Sequence, residues 1–523
     1  MRIFFIVTAL FLTNLSFGQE KKIIEILQAG SFDRNEKINP GANILKKNEN
    51  IRVHLFHDGM NIFSDYALFF KKTNSFQASG NVVVKQGDSI TLISNNLNYD
   101  GNTKKIIAKG EVDFTNNQTN LKTNVLFHDR VKREFYFENG GVIKDSTTTI
   151  TSDRGKFIEN KSKYQFTNDV YIENPNYKIN SNKLDYFTKS NHSYFYGPTN
   201  IIGSDYKIYC EKGFYDTNNK KGYFTQNSKI NYDKRIIEGD SLTFNDVIQF
   251  ASATKNIIIT DTINNSIIKG NYAEVFKSID SAMITKKPYA IKVFDNDSLF
   301  IKADTLFAIG PDFNRIIKGR FNVKFFRQNL TGKSDKIIIN DKSGITKLLR
   351  NEIDKKELQI LTNEEITKKN PVIWNGKSQM SGDEIQIIRE IKTNLLDSLK
   401  ILNNAFIIEK DSIGIENFNQ MKGINLYGKF IDNELQRIDL KQNTEMIYHL
   451  YDEKSMELIG IDRAICSSIS MKIEGNKIKE ITFFTDPKGN VYPEDQMEPN
   501  LKILNGFNWR IEEKINNKED FLK

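Results

Sequence analysis

Apolar and polar residues alternate along most of this chain. Between Ser64 and Lys333 the alternation is interrupted ten times by one figure, a small residue followed by a polar one. The pairs are Ser64-Asp65, Ser94-Asn95, Thr123-Asn124, Ser152-Asp153, Ser181-Asn182, Cys210-Glu211, Gly239-Asp240, Gly270-Asn271, Ala303-Asp304 and Gly332-Lys333. Their first members are spaced 30, 29, 29, 29, 29, 29, 31, 33 and 29 residues. Alternation predicts half-buried strands, and a register held this closely predicts a stacked repeat array. Each unit of such an array buries its apolar face against its neighbours, so the stack can lengthen without closing and can carry a continuous groove.

One unit, Gly80 to Gly110, shows the local logic. Val82 and Val84 alternate with polar neighbours, Gln86-Gly87-Asp88 interrupts, and Ile90 and Leu92 alternate again up to the Ser94-Asn95 pair. Leu97 and Tyr99 follow, Asp100-Gly101 is a hairpin signal, and Ile106 and Ala108 lead back to Gly110. Where a strand bends from one wall of a sheet into another, a large side chain on the inside would collide, so a small residue marks the bend and the Asx beside it accepts backbone hydrogen bonds. A second set of bends is predicted at Gly80, Gly110, Gly140-Gly141, Asn168-Asp169 and Gly197-Pro198. Two corners per unit describe an all-β chain folded into an elongated antiparallel β-jelly-roll, a V-shaped trough with an apolar inner face. Two strands per unit over ten units would extend for roughly 95 Å.

Strand parity selects the inner-face candidates: Phe76, Ala78, Val82 and Val84; Ile106, Ala108, Val112 and Phe114; Tyr164, Phe166, Val170 and Ile172. Two readings remain open for them. They pack against one another as core, or the walls stand slightly apart and the same residues line a slot for acyl chains.

Further along, corner-like glycines recur at Gly382, Gly428 and Gly475, so the motif continues with insertions. Ile388, Ile391, Leu395, Leu399 and Leu402 have helical spacing, but Asp397-Ser398-Leu399 repeats Asp297-Ser298-Leu299 and Asp240-Ser241-Leu242, which favours strand. The organisation predicted is a signal peptide over 1–18, a lead-in over 19–50, repeats over 51–335, divergent repeats over 336–513 and a frayed polar tail over 514–523. Arg2, the apolar run Ile3 to Leu12 and the small-x-small Ser16-Phe17-Gly18 make the signal, with the mature chain starting at Gln19 and an uncleaved anchor as the alternative. Ile51 to Phe56 is expected to form the N-terminal sheet edge.

Charge adds little. Lys and Arg number 74 against 66 Asp and Glu, a formal net charge of +8 over 523 residues with no block of five like charges, which argues against nucleic acid. The two cysteines, Cys210 and Cys466, read as small buried residues, Cys210 standing where other units place Ser, Thr, Gly or Ala. His54 and His57 point to opposite faces of a strand and lack a third ligand nearby, so no metal is expected. No G-x-S-x-G, phosphate loop or H-E-x-x-H occurs, and the Asp residues sit at repeat corners, so neither a catalytic site nor a cofactor is expected.

The passages Ile62-Phe63-Ser64-Asp65-Tyr66-Ala67 leading to Ala78-Ser79-Gly80-Asn81-Val82, and Leu97-Asn98-Tyr99-Asp100 leading to Ala108-Lys109-Gly110-Glu111-Val112, resemble the OstA-like family. That family includes the lipopolysaccharide-transport proteins LptA and LptC and the soluble part of LptD. The similarity repeats through Lys333 and fades beyond, although Phe418-Asn419-Gln420-Met421-Lys422-Gly423 through Tyr448 and Asp486-Pro487 is similar to larger OstA-like proteins of Gram-negative bacteria. The resemblance implies a non-catalytic periplasmic bridge, associated with the outer-membrane assembly machinery, that holds the lipid A chains of lipopolysaccharide in its trough. It also implies other Lpt jelly-roll proteins as partners through edge strands, with end-to-end self-association as a further possibility. The chain departs from LptA in being far longer. It departs from LptD in leaving too few residues after Lys333 for a large barrel. A secreted β-solenoid for adhesion or scaffolding and a polysaccharide-processing β-helix enzyme are the competing readings, both disfavoured by two corners and hairpin turns per 29 residues.

Overall fold

The computed structural model describes residues 22–522 except 233, 295–296, 312–313, 329, 412, 415–416, 453 and 476. The signal sequence over 1–18 and the start of the mature chain at Gln19 lie outside the described residues. The chain is almost entirely antiparallel strand and divides into two compact units, one ending at Gly197 and the other running from Pro198 to Lys523.

Within the first unit each long strand is shared by two walls. Ser75–Gln86, Ile90–Asp100, Lys105–Asn116 and Thr119–Asp129 are consecutive and antiparallel, and each is bent near its middle. Residues 82–86 pair with 90–94 in one wall and residues 75–79 with 96–100 in the other, the register slipping between Ser79 and Val82. Two kinds of corner alternate. On one strand two successive residues take the left-handed conformation, Gly80 and Asn81 (φ +77° and +47°), then Gly110 and Glu111 (+79° and +49°), then Asn168 and Asp169 (+63° and +46°). On the next strand the bend is the small-polar pair. The small side chain turns inward and is buried at Ser64, Ser94, Ser152 and Ser181. At two of these corners the hydroxyl also fills a gap in the ladder, Ser94 Oγ donating to Asn96 O at 3.0 Å and Ser181 Oγ to Lys183 O at 3.2 Å, whereas the buried Ser64 and Ser152 hydroxyls have no such bond. Gly80 has no alternative at this spacing, because a Cβ there would stand 2.9 Å from Asp65 Cβ on top of the positive φ.

The second unit repeats the scheme. Left-handed pairs occur at Gln226-Asn227, Lys255-Asn256, Lys286-Lys287, Phe321-Asn322, Asn403-Asn404 and Gln442-Asn443, opposite small-polar bends. Here the structure corrects three expected corners. Gly332 and Lys333 sit in regular pairing with Phe325 and Lys324, and the bend is two residues later at Ser334-Asp335, with Ser334 Oγ on Lys336 O at 2.9 Å. Gly428 pairs regularly with Leu399 and Ile438, the bend falling at Gly423-Ile424. Gly475 is a hairpin turn between Glu474 and Lys477, and the corner is Cys466-Ser467. Glycine alone misled the spacing; what defines a corner is a small inward residue facing a left-handed pair. The stretch around Ile388 to Leu402 is two strands, Glu384–Arg389 and Leu396–Lys410, joined by a turn that carries Ile391 and Leu395.

Both ends differ from expectation. Ile51 to Phe56 is not the N-terminal edge, because Val53–His57 already pairs with Glu25–Gln28, and Asn43–Lys46 carries Ser31–Arg34 outside it. The edge lies in the former lead-in. The tail expected to fray over 514–523 is, over its described residues 514–522, packed against the sheet. Residues 497–521 run back along the outer side of strands 378–381, 405–410, 418–423 and 444–451. Gln379 holds Asn508 O and the Arg510 N–H, both at 2.7 Å, and Gln420 holds Lys502 O and the Leu504 N–H, both at 2.9 Å. Met497 and Leu504 bury Phe406, Ile408, Ile447 and Ile461, and Ile515 and Phe521 pack on Phe300. An amphipathic spacing of single apolar residues in a polar tail hid this strap.

Candidate functional site

The inner faces of the two walls are one apolar surface. Phe76, Ala78, Val82, Val84, Ile106, Ala108, Val112, Phe114, Phe166, Val170 and Ile172 are buried, as parity predicts. Tyr164 is only partly buried: it lies near the strand end, its ring tilted against Phe157 at 4.5 Å and stacked on Phe166 at 5.5 Å. Each fully buried aromatic or branched side chain contributes roughly 1.5–3 kcal/mol. The walls touch. In the second unit two cavities lie between them, each of about 40 Å³, close to a single water's share of liquid volume. An acyl chain therefore fits only if the walls move apart.

Opposite the corners, hairpin tips from the two walls meet and form a mouth. In the first unit Asp58, at the tip of one wall, faces Lys104 at 3.0 Å and Arg130 at 3.4 Å from the other, and Lys22 at 2.5 Å. The hydrogen bonds from Lys22 and Lys104, together with Arg130, hold its carboxyl far below the usual range against the opposing effect of burial. Beside it His57 is buried, with Nδ1 2.7 Å from Tyr99 Oη and Nε2 3.0 Å from Lys22 O, while His54 stacks on Phe63 on the other face. His128 follows, its ring 3.7 Å from that of Phe135. Burial, reinforced by Arg130, pushes the His128 imidazole down to about 3, so it is neutral and acts as one more aromatic closing the mouth.

In the second unit the mouth is held by ion pairs. Lys277 and Asp205 come from opposite walls and meet at 2.7 Å. Arg235 reaches Asp280 across the gap at 2.6 Å, and Arg315 reaches back to Asp261 at 3.6 Å. Burial raises the Asp261 carboxyl, but Asn264, Arg235 and Arg315 outweigh it and leave it below its ordinary value. Further on, Lys292 meets Asp341 at 2.6 Å, Arg389 meets the same carboxylate at 3.3 Å, and Arg327 donates to Asn394 O at 2.7 Å over the Phe294 ring. None of these residues stands out in the sequence. They sit in hairpin turns or at the strand ends beside them, with Lys292 inside the strand Tyr289–Phe294, and look like solvated residues; the signal was an Asp, Arg or Lys recurring at or near alternate tips.

Among the described residues no group of three His, Cys, Asp or Glu side chains is placed to hold a metal. Cys210 and Cys466 are buried free thiols at corner positions, and burial pushes Cys210 up to about 12. No described helix is long and apolar enough to cross a membrane.

No curated protein matches this chain. Among solved structures it matches LptH, the LptA homologous periplasmic component of the conserved lipopolysaccharide transport device from Pseudomonas aeruginosa, at 15% identity and a TM-score of 0.21, over 22% of this chain and 82% of that one. A likeness of that extent fixes nothing further, and the fold rests on the strand register described above. The family model for OstA-like proteins matches residues 21–182, the stretch that carries the first corners, the inner-face residues and the Asp58 mouth. Over that segment this chain is similar to OstA-like proteins.

Proposed function

We propose that this chain is a non-catalytic periplasmic bridge in the transport of lipopolysaccharide to the outer membrane, with the acyl chains of lipid A lying between the two walls. The observation that carries this reading is the apolar inner face, broken only by small corner residues, inside a segment with an OstA-like match. Burial of acyl chains supplies about 0.8 kcal/mol per CH₂, enough to hold a multi-acyl lipid without covalent chemistry. The walls exchange contact with each other for contact with the lipid, so net affinity is set by the difference and permits release. The trough lining is Phe76, Ala78, Val82, Val84, Ile106, Ala108, Val112, Phe114, Tyr164, Phe166, Val170 and Ile172. A cleaved signal over 1–18 delivers the chain, and edge strands dock other Lpt jelly-roll proteins or a second copy.

The closed contact between walls favours one rival, a secreted structural β-solenoid whose inner face is only core. Mass spectrometry of lipids extracted from natively purified protein separates them: stoichiometric lipopolysaccharide is expected, and a lipid-free preparation that also fails to take up lipid A supports the structural reading.

A further inference from the structure

The mouth is not closed in the same way throughout. In the first unit the Asp58 ion cluster stands over a mouth packed with rings, Tyr99 against His57 and Phe76 and His128 against Phe135. In the second unit two apolar cavities adjoin one another behind the mouth, sharing Ile237 and Val275 as lining residues. What stands over them is charge. Arg235, Asp261, Asp280 and Arg315 cover the first cavity, and Lys277 covers the second beside Tyr206 and Tyr232. Arg315 is nearly buried, with 6% of its side chain exposed. Two guanidiniums and an ammonium at the rim of a mainly apolar space make an amphiphile-shaped environment, with apolar surface inside and cationic donors at the water boundary.

We propose that Arg235 and Arg315, with Lys277 beside them, form a headgroup-phosphate site at a lateral portal of the trough, through which a phosphate-bearing amphiphile enters or leaves sideways. The proposal rests on the trough reading above and adds where the ligand's charge is recognised. Asp261, Asp280 and Asp205 occupy the cations until a phosphate takes their place. Three features select this stretch. The cations come from both walls, Arg235 from one and Lys277 and Arg315 from the other, so one phosphate can bridge a parted mouth. The cavities directly behind are lined by Ile237, Ile259, Ile268 and Ala308, surfaces that acyl chains match. The next cluster, at Lys292, Asp341 and Arg389, is instead plugged by the Phe294 ring beneath Arg327, with a cavity of only about 20 Å³.

A plain latch and a phosphate site predict opposite responses to charge removal. If the cluster only holds the walls together, neutralising either partner loosens the mouth in the same direction. If the arginines recognise phosphate, Arg235→Gln with Arg315→Gln lowers capture, whereas Asp261→Asn with Asp280→Asn frees the arginines and raises it. The experiment places a photo-crosslinking residue at Val275 in the full mature chain and offers bisphosphorylated lipid A, or the same lipid with its phosphates removed, in detergent micelles. Positions Phe166 and Thr243, the latter outward-facing, are read in parallel.

The expected result is capture at Val275 and not at Thr243. It should fall at least fivefold with the dephosphorylated lipid or the arginine double variant, and rise with the aspartate double variant. Arg235→Lys with Arg315→Lys should retain most of the capture. Equal capture of both lipids at Val275, or a change of the same sign in the arginine and aspartate variants, overturns the phosphate site. Loss at Phe166 as well as Val275 overturns the trough itself. Millimolar inorganic phosphate binding with the same dependence on Arg235 and Arg315 but without displacement by lipid A would mark a free-anion site and also overturn the proposal. Should the arginine double variant fail to fold, the sign of the aspartate variant and the phosphate-free lipid still decide it.

Discussion

Asn81 donates its amide Nδ2–H to Asp65 Oδ2 at 2.7 Å across 16 residues of chain, while the Asp65 backbone N–H reaches Gly80 O at 2.9 Å. The left-handed corner of one strand is thereby stapled to the small-polar corner of its neighbour. The staple recurs as Asn227 to Glu211 at 2.8 Å, Asn322 to Asp304 at 2.8 Å and Asn404 to Asp383 at 3.1 Å. It explains both halves of the repeat figure. Asn tolerates the positive φ, and the acidic or amide residue that follows the small one accepts its amide.

Removing the staple is therefore costly on both counts. Asn81→Ala loses a hydrogen bond to a carboxylate and leaves an alanine at φ +47°, for a combined cost of about 1–3 kcal/mol. Asp65→Ala alone also disturbs Lys47, which lies 2.8 Å from that carboxylate. The double variant should cost less than the sum of the singles, measured as urea midpoints, since both report one contact. Strict additivity would show that the corner is held by backbone geometry alone.

Strand alternation separates trough from outer face. Phe166 is fully buried and Val170 nearly so on either side of the Asn168-Asp169 corner, whereas Thr167 turns outward. A photo-crosslinker at Phe166 should capture lipopolysaccharide and one at Thr167 should not. Val170→Asp should block lipid uptake, because an unpaired carboxylate in an apolar slot costs several kcal/mol or stays protonated. Damage in a stacked array is largely local, so that variant should keep most of its strand content by circular dichroism. Global unfolding of Val170→Asp would mark the inner face as indispensable closed core.

His128 makes the first unit sensitive to acid. Its folded value is lowered to about 3 by burial, whereas in the unfolded chain it protonates near 6.5. Between those values the unfolded state binds the extra proton, so stability is full above about 6.5 and falls as the pH drops toward 3, by up to about 1.4 kcal/mol per pH unit. Hydrogen exchange in strands 105–129 should accelerate between pH 7 and pH 5, and His128→Leu should remove most of that dependence. Unchanged exchange in the wild-type chain over this range would refute the assignment.

The N-terminal edge should be sticky. Ser31–Arg34 is exposed along its whole length, and Leu27 and Phe32 are more than half exposed beside it. Crosslinkers at Leu27 and Phe32 should capture another jelly-roll chain, whereas one at the exposed mid-chain Ile93 should not. Capture spread evenly over the three positions would count against edge-to-edge docking.

The C-terminal strap should release as a unit. Phe521 is fully buried against Phe300, their ring centroids 5.9 Å apart. Phe521→Ala removes up to about 3–5 kcal/mol of local packing, more than a short terminal segment can retain. Limited trypsin digestion should then cut at Lys514 or Lys518 while the sheet stays intact. Deleting residues 499–523 should uncover Phe406, Ile408, Ile447 and Ile461 and produce concentration-dependent association by light scattering.

Much of this molecule is local and therefore legible in one dimension. Side chains alternate because a strand has a period of two, so Val82 and Val84 or Phe166 and Val170 declare their face without knowledge of any partner. A bend needs a small residue inside, so Ser94 and Ser181 mark corners by steric demand alone. The same rule failed at Gly332 and Gly428, where smallness meets close packing rather than a bend: a Cβ at Gly332 would overlap the Phe325 ring at 2.1 Å.

Tertiary structure decided what touches across the trough. Arg235 and Asp280 are 45 residues apart, Lys292 and Asp341 49, and Asp58 and the Arg130 guanidinium 72, each a charged side chain in or near a hairpin tip that by itself favours water. Their pairing depends on which tips the two walls bring face to face, a consequence of sheet register summed over several strands. The strap likewise becomes visible only once the outer face of the sheet exists to receive Leu504 and Phe521. Alternation and corner sterics act within a few residues and write themselves into the sequence; ion pairs between distant tips and the closeness of two apolar walls are set by how the whole sheet folds over.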